Sequence, residues 1–334
     1  PMYRLEHAGG HGIHLPDCGL ALDNSHPDAE WVFVSHAHAD HLPRNRRTRA
    51  IATRATRRFM ELRGFRGECR EAAFGEPMDL GRCTLTLLPA GHILGSAMAL
   101  VESPHGRLLY TGDTRTPASP ATEGFQLPDL PVDELIIEAT FGLPIYRWPS
   151  EQELQARLHA FALQTLDEGG TPLFLGYNLG KAQELLHLLA PLGRPMQIHS
   201  GGYPLCQVYE EEGIELGEYA PYDRATCDGK ILVAPSSVLN TGFAGSARSL
   251  RVAYCSGWAA LSSRRSQLQA DALIPLSDHL DFFELLRVCR ELRPGRIHIT
   301  HTPNPSVVEY FLKREGLNAG FLDLPGLAEG GHAD

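Results

Sequence analysis

Between residue 3 and about residue 140 the chain alternates short apolar runs with clusters of Gly, Pro and Asp. Tyr3-Arg4-Leu5-Glu6, Gly12-Ile13-His14-Leu15, Gly19-Leu20-Ala21-Leu22, Trp31 to Val34, Cys83 to Leu88, Ser96 to Val101, Arg107 to Tyr110 and Glu134 to Ile137 each have strand length and are bounded by turn residues. This predicts a β-rich region, with a helix near 54 to 63. After Pro144 the texture changes. Ser150 with Glu153 three residues on forms a capping-box pattern for a helix from Glu151 to Asp167, which Gly169-Gly170 ends. Strand and helix then alternate: Thr171 to Leu175, a helix from Leu179 to Leu189, Met196 to His199, a helix from Pro204 to Glu212, and strands at Lys230 to Ala234 and Arg251 to Cys255. Such alternation predicts a parallel α/β layer distinct from the first region. Ala272 to Leu276, a helix from Leu280 to Leu292, the strand Arg296 to Thr300 and a helix from Ser306 to Glu315 read as a return to the first region. The expected organisation is therefore a first segment 1–144, an insertion 145–271 and a second segment 272–334.

Length agrees with that division, since 334 residues exceed a comfortable single core. No apolar run reaches the roughly 18 residues of a membrane span, and the N-terminus lacks a charged-then-apolar leader pattern, so a cytoplasmic location is expected. Pro1 before Met2 reads as a remnant of processing. Seven cysteines, at 18, 69, 83, 206, 227, 255 and 289, never fall in Cys-x-x-Cys spacing, which predicts reduced thiols without a disulfide framework or a thiolate metal site. The net charge of −10 argues against a polyanionic partner until its distribution is considered. Arg44, Arg46, Arg47, Arg49, Arg54, Arg57, Arg58, Arg63, Arg66 and Arg70 crowd one stretch, opposed only by Glu61, Glu68 and Glu71. The stretch is either a solvated helical face or a landing strip for phosphates, whose oxygens match the guanidinium fork.

The chemistry concentrates in Ser35-His36-Ala37-His38-Ala39-Asp40-His41, directly after the apolar strand Trp31 to Val34. Three imidazoles and a carboxylate in six positions at a strand end can serve two neighbouring cations, and without nearby thiolate they suit zinc and tolerate manganese or iron. His92, in the Gly-bounded turn Gly91 to Gly95, and Asp113, just past the strand ending at Tyr110, are further ligand candidates. The Asp113 carboxylate can bridge two cations, one oxygen each.

The His-x-His-x-Asp-His run resembles the metallo-β-lactamase superfamily of two-metal hydrolases, and His92 and Asp113 match its later metal motifs. Glu138 in Ile136 to Gly142, His279 in Pro275 to Phe282 and His301 in Ile299 to Pro303 resemble motifs A, B and C of the β-CASP nuclease branch, whose hallmark is an insertion between the first two. The fold that this resemblance implies is an α/β metallo-β-lactamase αββα sandwich carrying an inserted α/β β-CASP domain. It also implies one cation held by His36, His38, His92 and Asp113 and another by Asp40, His41, Asp113 and His301. The cations would hold a water as hydroxide for in-line attack on a phosphate. Glu138 would orient His279, which would protonate the leaving alkoxide. Asp17, in Leu15 to Gly19, resembles the family's first motif, and is either a support of the ligand loop or a turn residue. Thr302-Pro303 stands where the family commonly has Gly.

Gly176 to Leu185 and Ser256 to Ala259 look most like bacterial ligase-associated DNA exonucleases, related to the Artemis group. The implied activity is hydrolysis of DNA in repair or end processing, with DNA as partner, a DNA ligase and helicase as pathway neighbours, and Zn2+ or Mn2+ as cofactors. Processing of RNA and an inactive scaffold are the alternatives. Lys181, in the first turn of a helix, either binds a substrate phosphate or is solvated. Tyr177, Ser256, Arg44, Arg46 and Arg47 complete the candidate substrate contacts.

Overall fold

The computed structural model describes residues 2–324. It divides into two compact units, one formed by the residues up to Arg147 together with those from His279 onward, the other by Trp148–Asp278.

The first unit opens with six short strands: β1 (Glu6–His7), β2 (Ile13–Leu15), β3 (Leu20–Leu22), β4 (Trp31–Phe33), β5 (Ala50–Ala52) and β6 (Cys69–Glu71). They form one sheet in chain order, antiparallel through β3 and parallel from β3 onward. Parallel pairing of β4 with β5 leaves the segment between them to loop over the sheet's end, and that loop carries His36 to His41. Helix α1 (Arg54–Leu62) follows β5, capped by the Thr53 hydroxyl. The chain continues through β7 (Met78–Asp79), β8 (Thr84–Pro89), β9 (Ala97–Ser103), β10 (Gly106–Tyr110) and β11 (Glu134–Glu138).

The second unit contributes α2 (Glu151–Asp167), β12 (Thr171–Leu175), α3 (Lys181–Leu189), β13 (Met196–Ile198), α4 (Tyr203–Glu211), β14 (Tyr219–Pro221), β15 (Ile231–Ala234), β16 (Leu250–Cys255), the short α5 (Ser263–Gln267) and β17 (Ala272–Ile274). Its sheet runs β14-β13-β15-β12-β16-β17 and is parallel throughout, as the alternation of strands and helices predicts. Strand 272–274, expected in the returning segment, pairs instead with β16. Its backbone completes the parallel sheet, so the return to the first unit comes at His279. The predicted capping box of α2 forms in full, with Ser150 and Glu153 exchanging bonds.

Back in the first unit, α6 (Phe282–Leu292), β18 (Arg296–Thr300), α7 (Pro305–Arg314) and β19 (Ala319–Phe321) complete a seven-stranded sheet in the order β19-β18-β11-β10-β9-β8-β7. Alternation along its strands divides the side chains between two cores. Leu85, Leu87 and Ile136 meet Leu15, Leu22, Phe33 and Ile51 of the first sheet, so the two sheets pack face to face. Leu88, Leu135 and Ile137 point the other way, onto Leu285, Val288, Val308 and Leu312 of α6 and α7. The fold is thus mixed α/β. No helix among the described residues is long and apolar enough to cross a membrane.

Within α6, Asp281 and Glu284 form a reciprocal capping box, and burial raises the Glu284 carboxyl to about 7 from 4.5. A carboxyl with a raised pKa makes the fold hold its proton more tightly than the unfolded chain does. Stability is therefore full below about pH 4.5 and falls as pH rises through about 7. Glu284→Gln keeps the acceptor for the Asp281 amide and is expected to stabilise the protein above pH 7 by on the order of 1 kcal/mol, with little effect at pH 4. Thermal melts of both proteins across that range check the sign.

Candidate metal centre

Asp23, at the end of β3, is the anchor of the site. It is 1% exposed and stands in the left-handed region at φ 58. One carboxylate oxygen accepts the Ser35 amide at 2.7 Å; the other takes the Ser35 hydroxyl at 2.7 Å, the Tyr110 hydroxyl at 2.6 Å and His41 Nδ1 at 2.7 Å. One buried carboxylate from β3 thus ties the ligand loop after β4 to the end of β10. Ser35 Oγ also meets His36 Nδ1 at 2.9 Å, so both flanking histidines of the loop are held by their Nδ1 atoms.

Their Nε2 atoms converge on Asp113, which follows β10. Asp113 Oδ2 lies 3.5 Å from His36 Nε2, 3.3 Å from His41 Nε2 and 3.7 Å from His92 Nε2. His92 Nε2 and His38 Nδ1 are 3.1 Å apart, and Asp40 Oδ2 is 3.7 Å from His41 Nε2. His92 sits in a turn closed by the Ser96 hydroxyl, which accepts the His92 amide at 3.1 Å. Gly91 precedes it at φ +74, where a Cβ would come within 2.3 Å of the Arg115 carbonyl oxygen, so the close approach requires glycine. His301, after β18, stacks on His41 with ring centroids 5.0 Å apart and also occupies the left-handed region, at φ 49. For a residue other than Gly that conformation is costly, and such strain gathers at functional sites.

Two groups result, His36-His38-His92-Asp113 and His41-Asp113-His301, each with donor atoms all within 4.8 Å of one another. Nε2 of His36, His41 and His301 and Oδ1 of Asp113 are buried without a well-aligned hydrogen bond among the described residues. Leaving such atoms unpaired costs about 1–3 kcal/mol each. Imidazole and carboxylate donors crowded this way fit divalent cations. Electrostatics agrees. Burial keeps His36 neutral, with its pKa well below the usual value, and lowers His301 to about 3. Burial opposes charge on His41 as well, yet Asp113, Asp40 and Asp23 together raise its pKa well above the ordinary range. Asp113, despite burial, is held ionised chiefly by His41.

Glu138 and His279 meet beside this cluster. His279 Nδ1 is 2.8 Å from Glu138 Oε1, and the carboxylate is further fixed by the Thr114 and Thr140 amides at 3.1 and 3.2 Å. Asp113, Glu138 and His279 form a third close group, and the His279 ring lies 4.8 Å from that of His92.

Several expectations need correction. Asp17 is one-third exposed and lies 3.9 Å from His105 Nε2, away from the ligand loop; support of that loop falls to Asp23. The signal for Asp23 is in the chain, a carboxylate directly after the apolar run Leu20-Ala21-Leu22, the pattern that also marks Glu138. The arginine stretch is not one helical face, since α1 contains only Arg54, Arg57 and Arg58. Arg44, Arg46 and Arg47 lie in the loop between His41 and β5, and Arg49 and Arg57 are paired with Glu30 and Glu68 and with Glu61 and Glu71. The arginine that reaches the ligand loop is Arg63, whose Nη1 donates to the Ala37 carbonyl at 3.1 Å. His11, in a glycine-rich turn, packs against His301 at 4.4 Å and was not foreseen.

In the second unit Lys181 starts α3 but is 1% exposed, so it is not a solvated helix residue; its Nζ lies 3.9 Å from Asp278 Oδ1. Tyr177 is partly buried, and the Ser256 hydroxyl caps a short helical turn by accepting the Trp258 amide at 3.2 Å.

Asp23→Asn leaves the shape but removes the charge facing His41. Outer partners of this kind are worth roughly 10–100-fold in metal affinity, and that loss is the expected result in competition titrations with a metal-chelating dye.

No family model matches the chain. It is 36% identical over 293 residues to the "Probable DNA ligase" of Opitutus terrae, an alignment covering 87% of this chain and 28% of that protein. It is 35% identical over 114 residues to the endoribonuclease YSH1 of Candida glabrata, covering 34% of this chain and 14% of that protein. A third relative, the RNase J-like protein of Methanocaldococcus jannaschii, is 28% identical over 205 residues, covering 53% of this chain and 49% of the other. The chain thus spans less than a third of the first two relatives it matches. In solved structures, that of a protein of unknown function from Enterococcus faecalis V583 superposes with a TM-score of 0.56 over 82% of this chain and 76% of that one, at 16% identity, a likeness of fold alone. With these relatives, the chain belongs to the metallo-β-lactamase superfamily, in its β-CASP branch.

Proposed function

We propose that this protein is a metal-dependent phosphodiesterase that hydrolyses DNA, acting as an exonuclease in repair or end processing. The observation that carries the reading is the convergence of four buried atoms without a well-aligned hydrogen bond, on His36, His41, His301 and Asp113, beside the Glu138–His279 pair. On this reading the first unit is the αββα sandwich in two parts, and the second is the inserted β-CASP domain. His36, His38, His92 and Asp113 hold one cation, and Asp40, His41, Asp113 and His301 the other, with Zn2+ the favoured ion and Mn2+ the second. Bound there, two cations supply Lewis acidity at the phosphate and activate water. The rest falls to side chains. Glu138 accepts the Nδ1–H of His279, which fixes the ring and favours its protonated form. As the P–O bond breaks, the leaving alkoxide takes the proton from His279 Nε2, and solvent restores it. Arg46 and Arg63 supply positive charge for the phosphate backbone.

DNA is preferred over RNA because the alignment with the ligase-named relative runs over 87% of the chain, whereas the relatives named for ribonuclease activity match a third to about half of it. A DNA ligase is the matching pathway partner, and the seven free cysteines suit a reducing cytoplasm. The test is digestion of matched DNA and RNA oligonucleotides, labelled at either end, with Zn2+ or Mn2+ restored to chelator-treated protein. Stepwise loss of nucleotides from DNA is expected; cleavage of RNA alone would transfer the reading to the ribonucleases, and no metal-dependent cleavage of either would overturn it.

A further inference from the structure

A second cluster of metal-binding side chains lies on the first sheet, apart from the residues assigned above. Glu6 and His14 are cross-strand partners in the antiparallel pair β1–β2, which sets their side chains on one face. Glu6 Oε2 lies 3.2 Å from His14 Nδ1, while the other carboxylate oxygen faces Arg4 Nε at 3.5 Å. His26, in the loop between β3 and β4, stacks on His14 with centroids 3.9 Å apart and planes 16° from parallel. One donor atom from each of the three residues falls within 4.8 Å of the others. Asp28 adds a carboxylate at the rim, 4.0 Å from His26 Nδ1, and its amide donates to that nitrogen at 3.2 Å.

His14 is the informative member. It is 1% exposed, and its Nε2 is buried with no hydrogen-bond partner among the described residues. Hydrogen bonding within the protein therefore does not use up this imidazole. Burial, followed by the neighbouring charge of His26, lowers the His14 pKa, which keeps a lone pair available at neutral pH.

We infer that Glu6, His14 and His26 form a separate structural site for a borderline divalent cation of the zinc class, with Asp28 or water completing the shell. Two imidazoles and a carboxylate select such an ion over Mg2+ or Ca2+. The site pins strand β1 to the loop that runs from Asp23 to β4. Asp23 lies three residues before His26 and holds His41 and Ser35, so the cation stabilises the approach to the candidate metal centre without joining it.

The site does not depend on the proposed nuclease function, and the test separates the two. Protein carrying His38→Ala and Asp113→Ala is stripped with chelator, reloaded with Zn2+ or Co2+, desalted and analysed for bound metal. About one equivalent is expected to remain and to be lost on adding His14→Gln, with circular dichroism reporting whether the fold survives. His26→Gln, at a more exposed position, gives the same loss if His14→Gln fails to fold, and measured in the otherwise unaltered protein it removes about one equivalent from the total. Absence of the residual equivalent in the double variant, or its persistence in both the His14 and His26 variants, would overturn the inference.

Discussion

Asp113→Ala is expected to remove the metal held at the candidate centre and, with it, the proposed nuclease activity. Asp113 is the residue shared by both groups of candidate ligands, with one oxygen within 3.3 to 3.7 Å of three imidazoles and the other buried without a partner. Removing it takes away a ligand from each cation. It also takes away the carboxylate charge that does most to raise the His41 pKa. Cations at such a centre contribute several kcal/mol of transition-state stabilisation, so cleavage should fall by roughly a thousandfold or more. The raised His41 pKa adds a sign to the argument. In the metal-free protein His41 carries a proton that a cation must displace, so metal uptake should release protons and weaken as pH falls. Metal analysis after dialysis, together with rates on labelled DNA, checks both parts. A variant that kept its full metal content and its rate would remove Asp113 from the centre.

His279→Ala should separate chemistry from metal binding. His279 bonds to Glu138, which in turn is held by two backbone amides, and the pair adjoins the cluster without belonging to either group of candidate ligands. Loss of a general acid costs roughly 10²–10⁴-fold in rate, and metal content should stay unchanged. The requirement for that acid depends on the leaving group. An alkoxide leaving from a DNA strand needs the proton, whereas a nitrophenolate leaves without it. A nitrophenyl phosphodiester should therefore recover most of the lost rate in His279→Ala and none of it in Asp113→Ala. Equal losses on both substrates would assign His279 a structural role. Glu138→Gln should behave like a milder His279→Ala, with the basic limb of its pH–rate profile displaced to lower pH, because a neutral partner stabilises imidazolium less than a carboxylate does.

The ligand loop is legible in the chain because its spacing is local. His36, His38, Asp40 and His41 lie within six positions after one strand, and no long-range packing is needed to see them as a set. The capping box of α2 was visible for the same reason. Short strands without an apolar signature were not. The strand β5, Ala50-Ile51-Ala52, is hidden among arginines, and β14 is largely exposed, so neither stands out against its neighbours. Their pairing comes from the sheets that receive them. The apolar pattern of 272–274 fits either sheet, and only its pairing with β16 decides its side of the boundary.

Support of the ligands shows the same limit. Asp17 and Asp23 both follow apolar strands, two positions after Leu15 and directly after Leu22, and residue type does not distinguish them. Pairing of β3 with β4 brings Asp23 beside Ser35, and the closing of the two sheets brings Tyr110 to it, 87 positions away in the chain. The chain by itself determined which residues could bind cations and move a proton, because residue type sets donor atoms and acidity. Tertiary structure decided which of them meet, since bringing donor atoms within 4.8 Å of one another on residues up to 260 positions apart, from His41 to His301, depends on how strands pair and sheets pack.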